Sequence, residues 1–161
     1  MNHGLILVFA RRYDEAIIQL NRTLSIDPNF AFAHITLGWA FHHKGMYSEA
    51  IVEYRRGNDL AYDPINKGYL ALSLAKAGQR TEATKLLSEL EQESTRRYVP
   101  SYAFALVYIG LNEKSDAFVW LEKQIEERGY WASVYAVAPE LDELRSDPRF
   151  KAMLKRLNLP E

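Results

Sequence analysis

The chain has 161 residues, no cysteine and a nearly balanced charge, with 20 Lys and Arg against 21 Asp and Glu. This length fits one domain, and 48% hydrophobic with 25% charged residues is typical of folded globular proteins rather than disordered chains. A formal net charge of -1 provides no field to hold DNA or RNA. The absence of cysteine excludes disulfides, thiolate nucleophiles and cysteine metal sites. We therefore expect no binding of nucleic acid. The lack of cysteine does not fix the compartment, and a cytoplasmic location is our general expectation.

The first apolar stretch, Gly4 to Ala10, is the candidate for membrane insertion. It has seven residues and is followed by Arg11 and Arg12, so it is too short to span a bilayer and lacks a signal-cleavage pattern. We interpret it as a buried helix and expect no association with a membrane.

The sequence contains a repeat, which is marked by an alanine near the start of each of four charged, amphipathic stretches. These alanines are Ala16, Ala50, Ala83 and Ala117, at spacings of 34, 33 and 34 residues. Twelve residues before them stand the small residues Gly4, Gly38, Ala71 and Ala105, and four residues after them the apolar residues Leu20, Tyr54, Leu87 and Leu121. The pattern predicts antiparallel helix pairs that approach closely where the two small residues face each other.

The turn inside each pair needs a residue that ends the first helix. Gly45 and Gly78 supply the left-handed conformation for this in the second and third pairs, whereas Arg11 and Asn112 take that place in the first and fourth. The predicted helices span residues 3–11, 13–26, 30–43, 47–60, 65–77, 80–97, 101–111 and 114–128.

The repeat phase is lost after Gly129. Residues 130–139 are apolar and aromatic without a helical charge pattern, and we predict a short helix at 139–144. An N-cap with proline in the first helical position predicts a last helix from Pro148 to about Leu157. The sequence thus indicates four helix pairs in residues 1–128, the first truncated, and a capping segment of the same domain in residues 129–161.

These features resemble the tetratricopeptide repeat family. The closest unit is His34 to Leu60, with the small residue Gly38, the turn Gly45-Met46-Tyr47 and the alanine Ala50. The resemblance implies an all-α fold, a right-handed superhelix of antiparallel helix pairs, also called an α-solenoid. The usual tryptophan of the family is replaced in three units, by His34, Lys67 and Ser101.

The family's concave wall, formed by the first helix of each pair, is mostly apolar in this chain. The predicted partner-binding residues on it are Phe32, Ile35, Trp39, His42, Ile65, Leu72, Tyr102 and Leu106. Soluble proteins seldom leave such a patch open without a use. We therefore predict a non-catalytic scaffold that binds a protein or peptide in an apolar groove, with Trp39, Phe32 and Tyr102 as anchors.

An alternative is that this wall is already filled. The tail aromatics Tyr130, Trp131 and Tyr135 are candidates to fill it, and tight curvature or a neighbouring subunit would have the same effect. Self-association of the chain remains open for this reason.

A carboxylate clamp for chaperone tails, known from one subfamily, is not expected. The clamp positions hold Leu5, Thr36, Trp39, Ile65 and Tyr69 instead of Lys, Asn and Arg.

Two further stretches, Arg97–Pro100 and Leu141–Phe150, resemble the carboxy-terminal region of multidomain bacterial signalling proteins. In those proteins the repeats follow a serine/threonine kinase, a nucleotide cyclase or a winged-helix regulator. The resemblance implies an accessory module, and a regulatory or sensor role in a larger signalling protein is a second alternative.

Catalysis and metal binding have little support in the sequence. His42 and His43 are adjacent and diverge by about 100° on a helix, so they do not easily share a metal. His34 lies in the helix seam, where a packed and hydrogen-bonded ring is the ordinary interpretation. Paired carboxylates such as Glu91 and Glu93 lie on polar helical surfaces, where we expect them to stay solvated. No nucleophile arrangement or phosphate-binding glycine pattern is present. We expect no enzyme activity, no cofactor and no metal.

Overall fold

A computed structural model describes residues 3–160 of the chain. Within that range the protein is all-helical and repeat-like, with nine α-helices, two 3-10 helices and no strand. The elements are α1 (His3–Phe9), α2 (Tyr13–Ile26), α3 (Ala31–His43), α4 (Tyr47–Leu60), α5 (Pro64–Lys76), α6 (Arg80–Ser94), α7 (Ser101–Gly110), α8 (Lys114–Glu126), η1 (Tyr130–Val134), η2 (Pro139–Leu144) and α9 (Pro148–Arg156). None of these described helices is long and apolar enough to cross a membrane.

The first eight helices form consecutive pairs, and the partners in each pair pack against each other. Their observed boundaries agree with the predicted ones to within three residues. The turn inside each pair carries one residue in the left-handed region, with φ of +60° at Arg11, +76° at Gly45, +82° at Gly78 and +60° at Asn112. The turn geometry is therefore kept where glycine is replaced, although a residue with a side chain pays about 1–2 kcal/mol for this conformation.

Two of the recurring small residues, Gly4 and Gly38, lie against large side chains, which corrects the predicted contact between two small residues in these pairs. A Cβ atom on Gly38 would lie 2.7 Å from the ring of Tyr54, and one on Gly4 would lie 2.6 Å from the side chain of Leu20. Tyr54 is fully buried, and so are the four recurring alanines. Glycine in the first helix thus makes room for the bulky residue of the second.

The most extensive contact between neighbouring pairs is that of α5 with α7, while α3 and α5 contact each other much less. A Cβ atom on Gly68 would lie 2.7 Å from the carbonyl oxygen of Ala103, and one on Gly110 would lie 2.8 Å from the Cα atom of Leu72. The third and fourth pairs are therefore joined backbone to backbone through their first helices.

Linker residues tie neighbouring pairs together on the surface. Arg56 at the end of α4 donates to Asn29 at 3.0 Å, and Tyr98 donates to Glu127 at 3.3 Å. The hydroxyl of Tyr62 donates in the same way to Glu93 on α6. In each case a linker residue contacts the end of the second helix of the following pair.

Residues 129–160 pack back onto the helix pairs. η1 and α9 contact α8, and η2 contacts α7. Tyr135 and Phe150 have no exposed surface, so this segment belongs to the core. Asp147 caps α9 by accepting a hydrogen bond from the Arg149 amide at 2.9 Å, as predicted, whereas η1 was not predicted.

Candidate binding groove

Most of the predicted partner-binding wall is covered in this structure. Six of its residues are each exposed by 7% or less, namely Trp39, His42, Ile65, Leu72, Tyr102 and Leu106. Ile35 packs toward α4, since a Cβ atom on Gly57 would lie 2.7 Å from its Cγ1. Phe32 is exposed at the start of α3, beside Phe30. The wall is therefore not an open groove, and a binding role for these residues stays a prediction.

Trp131 of η1 enters the wall among three aromatic side chains. Its ring lies parallel to that of Tyr102 at a centroid distance of 5.3 Å, and edge-on to Trp39 at 6.1 Å and Tyr69 at 6.5 Å. Aromatic pairs in such arrangements contribute about 0.5–1.5 kcal/mol each beyond the area that they bury. Together the three wall residues form what we call the indole cradle.

The tail thus covers the part of the wall around Trp39 and Tyr102, which is one of the alternatives left open by the sequence. Leu72 is covered instead by α7, through the close approach of Gly110. Tyr135 also stacks on Tyr102, at 5.9 Å, and its hydroxyl donates to the Leu121 carbonyl at 3.1 Å. Tyr130 differs from the two other tail aromatics because 74% of it is exposed. Two of the three expected side chains therefore occupy the wall.

Glu140, in η2, contacts the same two tyrosines as Trp131, but through hydrogen bonds instead of ring contacts. Its carboxylate accepts hydrogen bonds from the hydroxyls of Tyr69 and Tyr102, the second at 2.7 Å. Its other oxygen lies 3.8 Å from Nε2 of His43, and its side chain is only 4% exposed. A carboxylate is tolerated at such depth because these donors replace the water that it has lost.

The two other acidic residues of η2 reach basic side chains from different helix pairs. Asp142 accepts two hydrogen bonds from the guanidinium of Arg11, at 2.6 and 2.9 Å. Glu143 pairs with Lys76, and its carbonyl accepts a hydrogen bond from Lys114 at 3.1 Å. With Glu140 beside His43, the six residues Pro139–Leu144, here called the acidic turn, contact all four helix pairs.

Burial sets the protonation of the groups behind the acidic turn. It raises the pKa of Tyr69 and Tyr102 well above 10, and the charge of Glu140 raises both further, so these hydroxyls act as hydrogen-bond donors. Burial also lowers the pKa of His42 to about 3. Its ring is therefore neutral at neutral pH, with Nδ1 2.7 Å from the hydroxyl of Ser73.

The contacts around the wall are those that hold a polypeptide segment, namely ring stacking, hydrogen bonds and ion pairs. Within residues 3–160 no group of three or more His, Asp or Glu side chains is placed to hold a metal ion. His34 has the packed, hydrogen-bonded ring expected of it, with Nδ1 2.6 Å from a Glu53 carboxylate oxygen and Nε2 3.0 Å from the Pro28 carbonyl oxygen.

The acidic turn and Arg11 are the parts of the site that sequence reasoning missed. In the sequence, Arg11 is interpreted only as a replacement of the usual turn glycine. Residues 139–144 are predicted as a short helix, and no role is assigned to them. A signal was present for Arg11, because the repeat phase places it at a left-handed turn, where a residue with a side chain is strained. The acidic residues of 139–144 gave no such signal, since surface carboxylates are usually solvated. Comparison of the sequence with protein-family models and with curated proteins gives no match.

Proposed function

We propose that the chain is a non-catalytic interaction module of the tetratricopeptide type, a right-handed superhelix whose concave wall binds a polypeptide. The period of 33 or 34 residues and the repeat-like helix pairs support this fold. Arrays of stacked helix pairs present extended concave surfaces that suit a partner segment.

One observation supports the binding role most directly: a polypeptide segment already occupies the wall, with an indole as its anchor. Trp131 inserts into the indole cradle as an aromatic residue of a partner would, and rigid aromatic side chains bury much area at a modest entropic cost. The partner that fits best therefore presents an aromatic side chain, tryptophan above all, in place of Trp131.

The tail competes with any such partner. A wall that is open for only a fraction of the time lowers the apparent affinity by that fraction. Because Tyr135, Leu141, Leu144 and Phe150 are core residues whereas Trp131 is only partly buried, we place the exchange at Trp131 and not at Tyr135 or in the acidic turn. The acidic turn then holds the four helix pairs together while the cradle changes its occupant.

The test uses the full chain and a fluorescent peptide with the sequence of residues 127–138, which carries the tryptophan. In Trp131→Ala the cradle loses its internal competitor, so we expect this variant to bind the peptide about tenfold more tightly than the unchanged chain. Fluorescence anisotropy measures the two dissociation constants, and circular dichroism checks that the variant is folded.

Tyr130→Ala is the matched control, because it removes a neighbouring aromatic side chain that points to solvent. It should bind the peptide no better than the unchanged chain does. A peptide with alanine in place of its tryptophan should not bind Trp131→Ala. Equal peptide affinities of a folded Trp131→Ala and the unchanged chain would contradict the proposal.

A further inference from the structure

A second groove, unrelated to the covered wall, is open between α8 and α9. It encloses about 660 Å³, and its floor is formed by Phe118, Val119, Ala152 and Met153. Val119 is 64% exposed, while Phe118 and Met153 beneath it are buried. The groove is therefore an accessible apolar surface with a solid floor.

The residues equivalent to Val119 in the other three helix pairs show what this repeat position looks like without a neighbouring groove. The equivalent residues Ile18 and Val52 are 55% and 62% exposed, and Lys85 stands at this position in the third pair. Of these positions, only Val119 has a helix such as α9 beside it, and this helix turns the exposed side chain into part of a groove. The repeat by itself does not create this surface.

The two sides of the groove carry opposite charges. Glu122 and Glu126 lie along the α8 side, whereas α9 contains four basic residues and no acidic one. Arg149 lies over the ring of Phe118, near the start of α8, and Arg156 pairs with Glu122 at 2.6 Å. Arg149 also pairs with Asp147 at 2.8 Å, and Lys123 lies over Trp120 on the α8 side.

We propose that this groove is a homodimer interface, in which a second copy of the chain packs with its own α8 and α9 across a two-fold axis. A two-fold interface uses the same patch on both copies, so the patch must be complementary to itself. An apolar floor between an acidic and a basic side meets this condition, whereas a patch of one sign would repel its copy.

The axis passes near the middle of the groove, where Val119 of each copy covers the apolar floor of the other. Arg149 lies toward the start of α8 and Glu126 at its end. The two-fold rotation reverses that order, so Glu126 of one copy faces Arg149 of the second. This ion pair forms twice, once on each side of the axis.

Sedimentation equilibrium of the full chain over a wide concentration range tests this arrangement. The unchanged chain should dimerise reversibly, and Val119→Glu should shift the dissociation constant upward by at least about tenfold, since two buried carboxylates would meet at the axis. Val52→Glu is the matched control, because it places the same charge at the equivalent and similarly exposed position of the second helix pair. It should dimerise as the unchanged chain does.

Charge reversal distinguishes this geometry from nonspecific association. Glu126→Arg alone and Arg149→Glu alone should each weaken dimerisation, and an equimolar mixture of the two variants should restore it as a heterodimer. A strictly monomeric unchanged chain, equal effects of Val119→Glu and Val52→Glu, or a mixture that stays monomeric would each overturn the proposal. Circular dichroism of every variant confirms that the fold is kept.

Discussion

Glu140 is the residue that connects the tail to the wall most directly. The hydroxyls of Tyr69 and Tyr102 both donate to the same oxygen of its buried carboxylate. A buried donor that loses its acceptor costs about 1–3 kcal/mol, whereas removal of donor and acceptor together is nearly neutral. The three side chains therefore act as one unit.

Glu140→Leu should lower the free energy of unfolding by about 2–5 kcal/mol, because two buried hydroxyls lose their acceptor. Adding Tyr69→Phe and Tyr102→Phe to this variant should recover most of the loss, since the donors are then removed as well. Urea denaturation followed by circular dichroism measures each variant.

Glu143→Leu provides the matched comparison, because it removes the pair with Lys76 at a half-exposed position. Exposed pairs contribute about 0–1 kcal/mol, so its effect should be small. The shared role of Glu140 is refuted if Glu140→Leu is no worse than Glu143→Leu, or if the triple variant is no better than Glu140→Leu.

At the scale of elements, the backbone contact of α5 with α7 decides how the third and fourth pairs stack. Gly68 and Gly110 provide the space for it, and each faces backbone atoms that have no freedom to rotate away. The recurring glycine Gly4 differs, since it faces a side chain, with Cδ2 and Cγ of Leu20 at 2.6 and 2.7 Å from a Cβ atom placed on it.

Gly68→Ala should therefore destabilise the protein by about 1–3 kcal/mol, because the added methyl group forces two helix backbones apart. Gly4→Ala should cost less than Gly68→Ala, because a side chain can shift where a helix backbone cannot and alanine is the better helix former by about 1 kcal/mol. Thermal and urea unfolding of the two variants check the difference. Equal losses would show that backbone contact is not the cause.

At the scale of the whole molecule, the acidic turn contacts side chains of all four helix pairs. Its partners include His43, and His42 lies directly behind it. Burial lowers the pKa of both rings, that of His42 to about 3. The folded state thus holds these rings neutral under conditions in which the unfolded chain would protonate them.

Stability should accordingly be complete above about pH 6.5, the ordinary pKa of histidine, and should fall as the pH drops toward the folded pKa. Each buried ring contributes a slope of at most about 1.4 kcal/mol per pH unit in this window. Asp142 acts in a separate window, because the hydrogen bond from Arg11 lowers its pKa and its contribution is lost only below about pH 4.

Urea unfolding between about pH 7 and about pH 4 checks this dependence. His42→Asn keeps a polar atom beside Ser73 but removes the titrating ring, so its stability should fall less steeply than that of the unchanged chain. Parallel curves for the two proteins would show that His42 does not carry the dependence.

Arg11 illustrates where local rules are overridden by tertiary structure. The repeat phase predicts glycine at this left-handed turn, and the backbone there is indeed left-handed, at φ +60°. The side chain of this arginine reaches Asp142, a residue 131 positions away in sequence. No local pattern connects two such distant positions, so the contact is not predictable from either one.

The sequence by itself determined the helix pairs, their boundaries and the loss of phase after Gly129, because helical periodicity, capping residues and turn chemistry act within a few neighbouring residues. Tertiary structure alone decided that Trp131 fills the wall and that Ile35 faces α4. It also decided that α5 and α7 meet backbone to backbone. These outcomes depend on the angles at which pairs stack and on how a tail without periodicity folds back. Both are set by side-chain packing between residues distant in sequence.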